Sequence, residues 1–154
     1  NRNSKLNYGQ LNKRKDTKTR RKIIITRKNA QNRNIQNHEQ MIMALKGWET
    51  IDLDKLSIKD QVQTFAESTH IVSPHGAGLT NLLWCEPGTK IIELTHEAFF
   101  GKKVYPTLSH HLGLQHSVLL CDTVPIKGPK PKNKKQKDMV DLKIDIEKLI
   151  TILD

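Results

Sequence analysis

The sequence predicts an α/β domain: a parallel sheet of about six strands with helices on both faces. Three observations lead there. Short aliphatic runs alternate with helical segments of roughly ten residues. The links between them are short and carry glycine or a capping residue. The first run, Ile23-Ile24-Ile25-Thr26, is apolar without alternation, as suits a strand buried on both faces.

The elements follow in order. Asn37, with Gln40 three residues on, reads as a capping-box start; Met41, Ile42 and Leu45 line one face and Gly47 supplies the stop. Residues 48–53 form the second strand. Ser57 caps a helix whose Ile58, Val62, Phe65 and Ala66 recur at helical spacing. Residues 70–73 are the third strand, followed by Pro74 and a glycine-rich turn, and residues 78–85 a short apolar helix closed by Glu86-Pro87-Gly88. Residues 90–94 make the fourth strand. Val104, Tyr105, Leu108 and Leu112 mark a helix ending at Gly113, and residues 116–120 the fifth strand. Val140, Leu142 and Ile144 alternate with Asp141 and Lys143, as in a half-exposed edge strand. Asp145 then caps a helix with Ile146, Leu149, Ile150 and Leu153 on one side; a single helix from 139 onward fits the same residues. The result is a Rossmann-like layer over residues 23–154, whose ligand site belongs at the C-terminal ends of the strands.

Composition bounds what such a layer can do. The chain has 154 residues, enough for one domain with an extension, and only 5% are aromatic. The net charge of +10 is uneven: +11 over residues 1–37, −4 over 38–126 and +3 over 127–154. Residues 1–22 read as a basic arm or linker, and the Lys/Pro-rich stretch 127–137 as a solvated loop. A polyanion is the first partner such charge suggests. A basic nucleic-acid-binding module is therefore the alternative reading, but interleaved aromatics and a reader motif are missing, so no nucleic-acid partner is expected. The longest purely aliphatic run, Ile23-Ile24-Ile25, is far short of the ~20 residues that span a bilayer, so no membrane span is expected either. Cys85 and Cys121 permit one bridge at most and form no zinc-like pair.

Three strand-to-helix junctions carry polar residues. After the first strand, Thr26-Arg27-Lys28-Asn29-Ala30-Gln31-Asn32-Arg33-Asn34 places two arginines six apart, able to fork onto one pyrophosphate; a solvated continuation of the arm is the plainer reading. After the third, Ser73-Pro74-His75-Gly76-Ala77-Gly78-Leu79-Thr80-Asn81 removes two β-carbons beside a helix start, where backbone amides favour anions. A tight turn with a structural histidine is its alternative. The third junction is Glu93, an acid among aliphatics, costly unless a ribose diol or a buried arginine satisfies it. Asp52-Leu53-Asp54 could bind a divalent cation, but it lacks further oxygen donors, so no metal site is expected.

Taken together, Arg27-Lys28-Asn29-Ala30 with Arg33 and Asn37, the Ser73 to Asn81 block and Pro87-Gly88-Thr89-Lys90-Ile91-Ile92-Glu93-Leu94 resemble the family 61 glycosyltransferases. The resemblance spans about residues 23–153, in order and in spacing. It implies a GT-B-like enzyme of two lobes, of which this chain is the C-terminal, nucleotide-sugar-binding one. The donor it implies is a UDP-sugar, with Arg27 and Arg33 on the diphosphate and Ser73, His75, Gly76, Ala77, Gly78, Leu79, Thr80 and Asn81 cradling it. Glu93 is then the ribose ligand. Inverting transfer to an acceptor hydroxyl on a glycan or protein is implied, as in polysaccharide biosynthesis. No cofactor and no obligatory metal are implied, since two arginines and a helix dipole can neutralise the leaving UDP. His75 lies where a general base could act; the alternative place for the base is the acceptor lobe, which is missing from a chain of this length. A non-catalytic nucleotide-binding lobe is the remaining alternative. Localisation stays open between a bacterial cytoplasm and a secretory lumen.

Overall fold

The computed structural model describes residues 20–27, 32–126 and 139–154. The arm up to residue 19, Lys28 to Gln31 of the first junction and the 127–137 loop lie outside the described residues.

Five parallel strands form the main sheet: β1 (Arg21–Thr26), β2 (Glu49–Asp52), β3 (Ser68–Pro74), β4 (Lys90–Thr95) and β5 (Gln115–Leu120), in the order β2-β1-β3-β4-β5. Between them run α1 (His38–Ala44), α2 (Ile58–Glu67) and α3 (Val104–His111). A 3-10 turn, Leu53–Lys55, leads into α2, and a 3-10 helix, Ala77–Trp84, joins β3 to β4. The first strand begins two residues before the aliphatic run. Arg21 belongs to it because its guanidinium makes two bonds to Glu49, at 3.0 and 2.7 Å, across to β2.

Both sheet faces are covered. On one, Ile24, Val72, Ile92 and Leu119 pack against Met41 and Leu45 of the α1 side and against Leu142, Ile144 and Leu149. On the other, Ile23, Ile25, Ile71 and Ile91 pack against Phe65 of α2, Leu79 and Leu82 of the 3-10 helix, and Leu108 of α3. This two-sided burial explains why the inner strands are aliphatic rather than alternating.

The expected sixth strand takes another place. Residues 140–143 form β7 (Val140–Lys143), which pairs antiparallel with β6 (Asp122–Pro125), a strand without a sequence signal, in a separate two-stranded sheet. A short helix, α4 (Ile146–Leu153), follows, capped by Asp145, whose carboxylate accepts from the Lys148 amide at 3.1 Å. Among the described residues the main sheet therefore has five strands, and the single-helix alternative from 139 does not occur. The region expected to be a short apolar helix after β3 is a 3-10 helix, closed by i to i+3 bonds such as Cys85 N to Leu82 O at 3.0 Å. The capping box at Asn37 is likewise absent. Asn37 makes no cap bond; its amide instead accepts from Ile144 N at 2.9 Å and donates to Ile144 O at 2.8 Å. Tertiary pairing has taken over a side chain that local pattern assigns to a helix start.

Candidate functional site

The strand order reverses between β1 and β3, where successive connections leave to opposite sides. Clefts open at the carboxyl ends of such strands. One does here, with a volume of about 340 Å³, bordered by Thr26 and Arg27 after β1, Asp52 after β2, and Ser73, Gly78 and Asn81 after β3. That volume suits a small ligand.

Arg27 and Arg33 converge on Gly76. A β-carbon at Gly76 would collide with Arg27 Nη1 and lie 3.8 Å from Arg33 Nη1, so the missing side chain makes room for both guanidinium groups. Arg33 Nη1 donates to the His75 carbonyl at 2.7 Å, and its guanidinium carbon stands 5.4 Å from the Phe99 ring centroid. The Nε donors of both arginines are buried and, among the described residues, have no hydrogen-bond partner. Neither arginine forms an ion pair with a described carboxylate. Burial first, then the positive charge of Arg27, lowers the Arg33 pKa from its usual value, against a smaller opposing effect of Tyr105. Two half-buried cations with spare Nε donors and no ion-pair partner among the described residues can receive an anion. Arg33 also has φ of +59°, a left-handed conformation uncommon for a residue with a β-carbon.

Glu93 is 2% exposed and satisfied in a way that neither a ribose nor an arginine accounts for. Its Oε1 is bonded to His75 Nδ1 and its Oε2 to His116 Nε2 at 2.9 Å; His116 Nδ1 in turn is 2.7 Å from Ser109 Oγ. Read as donors and acceptors, the Ser109 hydroxyl donates to His116, and both histidines donate to the carboxylate. This assignment leaves the His75 lone pair on Nε2. The His75 ring packs between Phe99, at 4.9 Å, and Tyr105, at 5.3 Å. Burial raises the Glu93 pKa, but the bonds from His116 and His75 more than offset it, so the net direction is down.

The other predicted positions divide. Asn81 borders the cleft, but its Nδ2 is turned to Gln61 Oε1, at 3.0 Å, and to the Gly78 carbonyl; Gln61 donates onward to the Leu53 carbonyl at 3.0 Å. Ser73 is 1% exposed and bonds the Pro74 carbonyl. The Leu79 side chain is fully buried in the core, whereas Ala77 and Thr80 are exposed. Asp52 accepts from the Asp54 amide and stands 3.4 Å from Lys55 Nζ, so it caps the 3-10 turn while bordering the cleft. Among the described residues no group of three His, Cys, Asp or Glu is placed to hold a metal ion, and no helix is long and apolar enough to cross a membrane. No local pattern in the sequence marks His116, Ser109, Phe99 or Gln61. Their roles depend on which strands and helices become neighbours.

Comparison with known proteins gives the family. The family model Glycosyltransferase 61 matches residues 3–92, which include both arginines and the whole turn after β3. The beta-1,2-xylosyltransferase RCN11 of Oryza sativa subsp. japonica is 23% identical over 95 residues, covering 55% of this chain and 18% of that protein. The chain thus matches less than a fifth of that relative's length.

Proposed function

The chain belongs to glycosyltransferase family 61, and on that premise we propose that it is the donor-binding lobe of a glycosyltransferase, holding a UDP-sugar by its diphosphate. One observation carries the reading: two half-buried guanidinium groups meet over a glycine at the β1/β3 switch point, with buried Nε donors to spare and no ion-pair partner among the described residues. A diphosphate brings the oxygens those donors lack. As the bond from the anomeric carbon to the diphosphate breaks, its electron pair leaves on UDP. Arginines placed there stabilise the growing charge, so the reaction has no obligatory need of a divalent cation.

The acceptor is a hydroxyl of a glycan or protein, presented by a second lobe. Its oxygen forms the new bond on the opposite face of the sugar, inverting the anomeric centre, and its proton passes to His75 Nε2. Glu93 holds the Nδ1 proton and so fixes the lone pair on Nε2. With both its oxygens engaged, Glu93 acts on His75 rather than on the ribose; Asp52 and Asp54, which border the cleft, are the acceptors for ribose hydroxyls.

Titrating UDP and uridine into the chain in the presence of EDTA tests the reading. UDP is expected to bind and uridine to bind about a hundredfold more weakly, because the diphosphate carries the charge-assisted bonds. Absence of UDP binding, or equal affinities, would overturn it. A companion variant, Gly76→Ala, is expected to melt within a few degrees of wild type, since the flexible end of Arg27 can swing aside. It is also expected to lose about tenfold in UDP affinity, because that guanidinium no longer lies over the turn.

A further inference from the structure

Arg33 is held by a segment more than a hundred residues away. Residues 33–36 run parallel to β7: Arg33 N donates to Val140 O at 2.7 Å, Leu142 N to Asn34 O at 2.8 Å and Gln36 N to Leu142 O at 2.8 Å. Asp141, only 8% exposed, turns its carboxylate to the same loop. Its Oδ1 accepts from Asn34 N at 2.9 Å and from Asn34 Nδ2 at 3.0 Å, and its Oδ2 from Gln36 Nε2 at 2.8 Å. All three bonds go to the two residues that flank Ile35, immediately after the left-handed Arg33. A side chain in that backbone region persists where surroundings over-determine it.

We propose that Asp141 is a positioning residue for donor binding, acting through Arg33. By locking residues 34–36 against β7 it keeps Arg33 in its left-handed conformation, with the guanidinium over Gly76. This rests on the diphosphate reading above. Nothing in the family match assigns β7 a part in the site, because the matched residues end at 92. The apolar anchoring of β7 is separate: Leu142 and Ile144 stay in the core whatever residue stands at 141. Loss of the carboxylate therefore frees the loop before it frees the strand.

The test combines UDP titration with backbone hydrogen exchange on wild type, Asp141→Ala, Asp141→Asn, Arg33→Ala and the double variant Arg33→Ala/Asp141→Ala. Asparagine keeps the oxygen facing Asn34 but sets an amide donor against Gln36, so its effect is smaller than that of alanine. Asp141→Ala is expected to weaken UDP binding about tenfold and to raise exchange at residues 34–36 without raising it in β3 or β4. In the Arg33→Ala background it is expected to cause no further weakening, as for two residues acting through one contact. Wild-type binding of UDP together with unchanged affinity in Asp141→Ala, or independent additive losses in the double variant, overturns the positioning role and leaves the donor site standing. Failure of the wild type to bind UDP overturns the donor reading and this proposal with it. If Asp141→Ala does not fold, Asp141→Asn decides: weakened UDP binding supports the role, and wild-type affinity overturns it.

Discussion

Replacing Arg33 with glycine is expected to lower UDP affinity by about a hundredfold while leaving the chain folded. Charge-assisted hydrogen bonds contribute roughly 1.5–3 kcal/mol each, and a guanidinium fork can make two of them, so the loss corresponds to about 2.7 kcal/mol or more. The same change has offsetting effects on stability. It removes the bond to the His75 carbonyl and the contact with Phe99, together worth about 2 kcal/mol. It also relieves a φ of +59°, which glycine adopts freely and other residues hold at a cost of about 1 kcal/mol or more, and it relieves the repulsion from Arg27. The balance is within about 1 kcal/mol, so the melting temperature should move by no more than about 4 °C. Arg33→Lys keeps the charge but loses the fork, and is expected to recover only a small part of the affinity. Calorimetric titration and thermal melting on the same preparations check both halves. A variant that melts far lower, or that binds UDP like wild type, contradicts the assignment.

The second large effect concerns Glu93 and falls on folding. Glu93→Ala strands two histidines in the interior and removes the acceptor of two hydrogen bonds, and breaking a buried pair in this way costs about 3–5 kcal/mol. Domains of this kind are stable by roughly 5–15 kcal/mol, so the variant is expected to be marginal or unfolded at 37 °C. Glu93→Gln keeps the volume and one acceptor, and is expected to cost about 1–3 kcal/mol. The two variants can be separated from a generic core defect by pH. Because the folded-state pKa of Glu93 lies below its usual value, its contribution is present above the ordinary carboxylate range, near pH 4.3, and is lost as pH falls through the depressed folded value. Melting curves taken from pH 6 down to pH 3 should therefore fall more steeply in wild type than in Glu93→Gln. Parallel curves would show that the carboxylate is not the group held by the histidines.

What the sequence made legible was the local chemistry and its place in the layer. Ile23-Ile24-Ile25 announces a strand buried on both sides, Ser57 and Asp145 announce helix starts, and both caps form. The rule that ligands sit at carboxyl strand ends points to Arg27, Arg33 and the Ser73 to Asn81 turn; Arg27, Ser73, Gly78 and Asn81 border the cleft, and Arg33 reaches Gly76 of the same turn. What remained illegible depends on register and on contacts distant in sequence. Glu93 meets His116 because β4 and β5 pair with Ile91 opposite His116, a parallel register set by the crossover through α3 and not by any local pattern. Asp141 reads as the polar side of an edge strand, yet it is buried, because its partners lie 105 and 107 residues earlier. Asn37 reads as a helix cap for the same reason: its true partner, Ile144, is invisible to a local window. Strand β6 has no alternation to announce it and owes its pairing to β7.

The most direct measurement is a structure of the chain with UDP bound. The expected result has diphosphate oxygens within hydrogen-bond distance of both Arg27 and Arg33, lying over Gly76, with the nucleoside in the cleft beside Asp52 and Asn81. A UDP lodged instead in the smaller cavity beside Asn34, Gln36 and His38, or bound with both arginines untouched, would contradict the assignment of this glycine turn as the donor site.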